Sequence, residues 1–171
     1  MYVGYFLKRN AAIYGNKIAL KCGDRSLTFR ELKNRALRLS STMFSLSGLS
    51  KGDRVAFLDY NSIEYVEFHL GLPMGGLIAV PLNFRLIGKE LKTVINSSSC
   101  KSLIYRSFFA PIVEEIRKGL TSVEHFICLD GPRGKDIGYE ELLAGGRAEN
   151  FAPPEEDSPG YILYTRHKLG P

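Results

Sequence analysis

Apolar positions along the chain switch repeatedly between a helical and an extended rhythm. Val3, Phe6, Leu7, Ala11 and Ile13 recur at helical spacing, which predicts an amphipathic helix over 3–13 that stops near Gly15. Ile18–Cys22 and 26–29 read as two extended runs about a Gly23-Asp24-Arg25 turn, a hairpin. Thr28, three residues ahead of Glu31, has the spacing of a capping box, which satisfies orphan amides at a helix start. The helix it opens carries Leu32, Ala36, Leu39, Met43 and Leu46 and ends at Gly48. Arg54–Leu58 is then a continuous apolar run, expected of a strand buried on both faces. Asn61 and Ser62 can cap a helix carrying Ile63, Val66, Phe68 and Leu70, which Pro73 and Gly75-Gly76 should break or kink. Further strands are expected over 77–82, 102–105, 125–129 and 160–165. Helices are expected over 88–98, 109–119 and Tyr139–Ala144, and a Pro-containing polar linker over 145–159.

Strands alternating with helices of about 10–15 residues predict an α/β fold. The expectation is three layers, a mostly parallel sheet with helices on both faces, plus a short β-hairpin near the N-terminus. Ligands in such folds sit at the carboxyl ends of strands, so the segments after Leu58, Leu82, Tyr105, Leu129 and Thr165 are where a site should be sought.

The length, 171 residues with 44% hydrophobic and 24% charged, fits one globular domain and argues against disorder. No run approaches the roughly 18 apolar residues of a membrane-spanning helix, and the first residues lack the pattern of a secretory signal. Lys and Arg number 23 against 18 Asp and Glu, a net +5 spread along the chain, which argues against nucleic acid as a partner. Cys22, Cys100 and Cys128 are odd in number and far apart, so neither a disulfide framework nor a zinc site is expected. They read as small core residues in a reducing, cytoplasmic setting.

Motif chemistry is sparse. Gly131-Pro132-Arg133-Gly134-Lys135-Asp136 follows a strand, but Pro132 removes an amide and Asp136 stands where a phosphate loop needs a hydroxyl; a surface turn is expected. Glu64, Glu67 and His69 lie within two turns of one helix and read as a solvated face rather than an acid–base pair. There is no Gly-x-Ser-x-Gly elbow and no Gly-x-Gly-x-x-Gly. On residue chemistry alone no catalytic or metal-binding residue is assigned.

The order of segments says more. Leu27-Thr28-Phe29-Arg30-Glu31-Leu32 resembles the Leu-Thr-Tyr-x-Glu-Leu segment of AMP-forming acyl-CoA synthetases, within the adenylate-forming enzymes. Lys51-Gly52-Asp53-Arg54-Val55-Ala56 resembles their Gly-Asp-Arg-Val segment, and Asn61-Ser62 with Glu64-Tyr65 also fits. The run from Gly76 through Pro81-Leu82-Asn83-Phe84-Arg85-Leu86 resembles their Gly-Ala-x-x-x-Pro-Leu-Asn-Pro-Arg-Leu. Asp157-Ser158-Pro159-Gly160-Tyr161-Ile162-Leu163-Tyr164-Thr165 resembles the strand that leads into the family's phosphate loop.

This resemblance implies a parent enzyme that activates a fatty or aromatic carboxylic acid with ATP and magnesium as an acyl-adenylate, then passes the acyl group to coenzyme A. It implies residues 1–165 as an N-terminal subdomain and 166–171 as an unmatched tail. After Tyr-Thr the family continues Ser-Gly-Thr-Thr-Gly-x-Pro-Lys, whereas here Thr165 is followed by Arg166-His167-Lys168-Leu169-Gly170-Pro171. Only Thr165 matches a phosphate-loop position, so it is the sole cofactor-binding candidate, and no cofactor is expected to be held by this chain. A truncated piece of this kind should be inactive alone and prone to self-association through exposed apolar surface. The alternatives are a non-catalytic interaction module and an independent doubly wound nucleotide-binding protein.

Overall fold

The computed structural model of the protein describes residues 3–46, 48–148, 154, 155 and 157–165. Helix α1 (Val3–Tyr14) precedes an antiparallel hairpin of β1 (Ile18–Cys22) and β2 (Arg25–Thr28), with Gly23 at φ 60° in its turn. Helix α2 (Phe29–Ser45) opens with the expected box. The Glu31 amide donates to Thr28 Oγ1 at 3.3 Å, and the Thr28 amide donates to Glu31 Oε2 at 2.8 Å.

Five strands form the main sheet: β3 (Arg54–Leu58), β4 (Ile78–Pro81), β5 (Cys100–Tyr105), β6 (His125–Cys128) and β7 (Ile137–Gly138). Their order is β4-β3-β5-β6-β7 and every pairing is parallel. Parallel neighbours need crossovers, supplied by α3 (Ile63–Gly75), α4 (Gly88–Ser97) and α5 (Ala110–Arg117), with α6 (Tyr139–Ala144) after β7. Side chains alternate across the sheet as the strand period requires. Val55, Phe57, Ala79, Ile104 and Ile127 pack on the face covered by α2, α3 and α6. Ala56, Leu58, Val80, Leu103 and Cys128 pack on the face covered by α4 and α5. The expected three layers are present.

Four details depart from the sequence reading. The two-residue strand β7 was not anticipated, and it is too short to leave a periodic signal. Cys22 is exposed at the tip of the hairpin, whereas Cys100 and Cys128 are buried as expected. Pro73 does not break helix α3, which runs on to the expected break at Gly75-Gly76, where Gly76 closes it at φ 88°. A proline cannot donate to the carbonyl four residues back. That carbonyl, of His69, instead accepts the Tyr161 hydroxyl at 2.6 Å.

The strand expected over 160–165 is the fourth. It lies along the free edge of β4, where the Ala79 amide donates to the Gly160 carbonyl at 2.9 Å and the Ile162 amide to the Ala79 carbonyl at 3.0 Å. The pairing ends there, as a single parallel bridge between Ala79 and Tyr161. The next rung would need an amide from Pro81, which has none.

Helices α2 and α3 cross at Gly71, where a Cβ would meet the Ala36 carbonyl oxygen at 2.6 Å. Helix propensity alone makes Gly→Ala favourable by about 1 kcal/mol. Here the clash is with backbone, which cannot rotate away. Gly71→Ala is therefore expected to destabilise the fold by about 1–3 kcal/mol in urea denaturation, the sign of overpacking rather than of propensity.

Candidate functional site

Strands β3, β5 and β6 are adjacent and parallel, so their carboxyl ends meet on one edge. Each is followed within two positions by a charged residue: Asp59, Arg106 and Asp130. Arg106 stands between the two aspartates and grips Asp59 with two hydrogen bonds, Nε to Oδ1 at 2.9 Å and Nη2 to Oδ2 at 2.8 Å. Its Nη1 donates to Asp130 Oδ1 at 2.7 Å, and its Nη2 also reaches Glu64 Oε2 at 3.2 Å. Arg25, from the hairpin turn, pairs with the other Glu64 oxygen at 2.7 Å. Ser62 donates its hydroxyl to Asp59, and Ser107 donates both amide and hydroxyl to Asp130.

This arrangement consumes its own charges. Asp59 is 3% exposed and Glu64 4%, yet every carboxylate oxygen here has a donor. The hydrogen bonds to Asp59 raise the Arg106 pKa further above its ordinary value, outweighing burial. Burial works against an ionised Glu64, but its own amide, Arg25 and Arg106 prevail and hold the carboxyl below the usual range. Asp130 is likewise held down, by Ser107 and Arg106 against partial burial. A guanidinium neutralised by three carboxylates has little attraction left for a phosphate, and a carboxylate with filled lone pairs is a poor base or metal ligand. The edge is a brace.

A second network corrects the expectation of a solvated glutamate face. Glu67 is 0% exposed. It accepts from Arg35 Nε and, at 3.2 Å, from Arg35 Nη2 of α2, and from the Tyr139 hydroxyl of α6 at 2.8 Å. Burial pushes the Glu67 carboxyl up, against the hydrogen bonds from Arg35 and Tyr139. Arg35 also holds Glu140 at 2.6 Å, so one guanidinium ties three helices. His69 joins neither glutamate. It is half-buried beside Tyr65 and Tyr161, with ring centroids 4.5 and 5.5 Å away, and burial lowers its pKa. The segment 131–136 is a turn, as expected, closed by the Asp136 amide on the Arg133 carbonyl at 2.9 Å. Asp136 is buried, accepting from Tyr105 at 2.5 Å and Arg117 at 2.6 Å.

Among the described residues no group of three or more His, Cys, Asp or Glu could hold a metal ion. Thr165 is exposed, four residues beyond the bridge to Ala79, and hydrogen-bonds to no other described residue. Its neighbour Tyr164 reaches Ser97 Oγ on α4 at 2.9 Å. The tail 166–171 lies outside the described residues. Asp59, Arg106 and Asp130, the charged groups on this edge, are already paired with one another and do not fit a triphosphate or its magnesium ion.

Comparison with known proteins identifies the scaffold. A family profile described as AMP-binding enzyme matches residues 7–165. The chain belongs to the AMP-binding enzyme family. It is 34% identical over 171 residues to a long-chain-fatty-acid–CoA ligase of Thermus thermophilus, covering 96% of this chain but 31% of that protein. It is 34% identical to a crotonobetaine/carnitine–CoA ligase of Salmonella paratyphi A, covering 91% of this chain and 29% of that one. Among solved structures, the anthranilate CoA ligase AuaEII in complex with anthranoyl-AMP superposes with TM-score 0.93 at 26% identity, over 99% of this chain and 33% of that chain. The N-terminal domain of FACL13 from Mycobacterium tuberculosis superposes with TM-score 0.88 at 28% identity, over 98% of this chain and 42% of that domain. The chain therefore spans about 30% of the length of the curated relatives it matches.

The segments that resemble the family have mechanical roles in this AMP-binding family member. Leu27 to Leu32 is the cap of α2. In the Gly-Asp-Arg segment, Gly52 sits at φ 84° with its amide on the Gly76 carbonyl at 2.8 Å. Asp53 accepts the Ser50 amide at 2.8 Å, and Arg54 donates to the Ser98 and Ser99 carbonyls just beyond α4. The segment 157–165 is docked on α3, with Gly160 against Pro73 and Tyr161 on the His69 carbonyl.

Arg106→Ala is expected to cost about 3–5 kcal/mol in chemical denaturation, because Asp59 and Glu64 stay buried without their partner. Acid should act through the same residues. Carboxyls held below their ordinary values, 4.5 for Glu64 and 3.8 for Asp130, contribute stability that is complete above those values and lost as pH falls through the folded ones. The slope of stability against pH below about 4 should accordingly be shallower in Glu64→Gln, as read from urea midpoints.

Proposed function

We propose that this chain is the N-terminal part of an acid–CoA ligase. In the whole enzyme a fatty or aromatic carboxylate would attack the α-phosphorus of ATP, with magnesium, to give an acyl-adenylate and pyrophosphate. The thiol of coenzyme A would then take the acyl group and release AMP. The observation that carries this reading is the family match over 7–165, together with relatives that are themselves CoA ligases about three times as long. Residues 1–165 would form the subdomain and 166–171 an unrelated tail, with Thr165 the only residue matching a phosphate-loop position. A cytoplasmic setting is supported by three cysteines that are all free. Among the described residues no helix is long and apolar enough to cross a membrane.

The chain alone does not carry out the parent reaction. Phosphoryl chemistry is catalysed mainly by positioned donors and charges. Arg166-His167-Lys168 stands where the family has its hydroxyl- and glycine-rich loop. The best-placed guanidinium on the carboxyl edge, that of Arg106, is already taken by Asp59, Glu64 and Asp130. Pyrophosphate–ATP exchange with long-chain, short-chain and aromatic acids is expected to show no turnover by the 171-residue chain. Turnover with any of these acids would refute the inactivity.

A further inference from the structure

Helix α1 is apolar on the side that faces the protein and on much of the side that does not. Leu7 and Ala11 are buried against the cluster of Leu32, Ala36, Leu37 and Met74. On the outward side Tyr5 is 59% exposed, Phe6 44% and Ile13 56%. With about 100° between successive helical residues, Tyr5, Phe6, Arg9 and Ile13 fall within one arc of about 100°, opposite Leu7 and Ala11. Ile18, at the start of β1, is a further exposed apolar side chain close in sequence. The outward face of α1 thus carries three exposed apolar side chains around the exposed Arg9, a mixed apolar and cationic face.

The charges indicate the surface that this face suits. Residues 1–23 contain Lys8, Arg9, Lys17 and Lys21 and no Asp or Glu. Arg9, Lys17 and Lys21 are exposed, and Lys17 sits over the Tyr14 ring at 4.8 Å from its centroid. A second copy docking through this face would bring two basic segments without carboxylates together. An anionic lipid surface would not. It accepts Tyr, Phe and Ile at the level of the headgroups while Lys and Arg extend their stems to reach phosphate. Cationic side chains beside such a surface each add to the attraction.

We infer that the outward face of α1 docks the chain on an anionic lipid bilayer through Tyr5, Phe6 and Ile13, with Lys8, Arg9, Lys17 and Lys21 supplying the charge complement. The docking is peripheral, and it is independent of the ligase reading.

The chain has no tryptophan, so a single one reports its own surroundings. Phe6→Trp is expected to shift its emission to the blue with phosphatidylcholine vesicles that contain phosphatidylglycerol, and to change little with phosphatidylcholine alone. Phe108→Trp, at the exposed aromatic patch of Tyr60, Phe84 and Phe108 on a different element, is expected to stay unshifted. In co-sedimentation, the double substitution Lys8→Glu with Arg9→Glu should weaken vesicle binding by about tenfold or more. Tyr5→Ser with Ile13→Ser should abolish it while circular dichroism remains that of the parent chain. An unshifted Phe6→Trp, binding indifferent to the charge reversals, or a dimer in light scattering that Tyr5→Ser with Ile13→Ser dissolves would each overturn the inference, the last by making a second copy the occupant.

Discussion

Arg106 leaves β5 between two strands that are each followed closely by an aspartate, and the parallel order β3-β5-β6 brings all three ends together. A guanidinium in that position must be paired or stay in water. It is paired three ways, to Asp59, Glu64 and Asp130, and Arg25 completes Glu64 from the hairpin. The consequence reaches beyond local stability. The carboxyl edge of a parallel sheet is where ligands of such folds bind, and here its centre is filled by the protein's own charges. Two other guanidiniums repeat the device elsewhere. Arg35 joins α2 to Glu67 of α3 and Glu140 of α6, and Arg117 holds Asp136 of the turn before β7 against α5. Each places one arginine where two or more elements converge. Loss of the arginine is what costs most in such a network, because the carboxylates left behind cannot regain water.

The layers of the fold were legible because they rest on local periodicity. The continuous apolar run at 54–58, the Thr28–Glu31 spacing and the strand–helix succession needed no knowledge of partners. What the sequence concealed was set by partners far away along the chain. Glu64 and Glu67 look like surface residues of an amphipathic helix until Arg25, Arg35, Arg106 and Tyr139, between 32 and 72 residues away, are brought to them. Asp136 looks like a turn residue until Tyr105 and Arg117 are seen beside it. The strand expected over 160–165 had the right composition but the wrong neighbour, since Pro81 offers no amide for a second rung. The resemblance to AMP-forming ligases was legible from segment order, and the segments that carried it prove to be caps, turns and edges rather than reacting groups.

Pro73 links the scaffold to the last described segment. By withholding an amide it leaves the His69 carbonyl for Tyr161, and the Tyr161 hydroxyl, with the bridge at Ala79, fixes the chain along β4 shortly before Thr165. The family places its phosphate loop next, and this chain has other residues there. The described residues thus show the scaffold and the approach to Thr165.

Titration of the chain with ATP and magnesium, observed at the Nε–H resonance of Arg106 by nuclear magnetic resonance, reads this account where it is most exposed to contradiction. The resonance should stay protected and unmoved at every nucleotide concentration, because its partners are Asp59, Glu64 and Asp130. A saturable displacement would mean that the nucleotide competes for the guanidinium and that the carboxyl edge is a binding site after all.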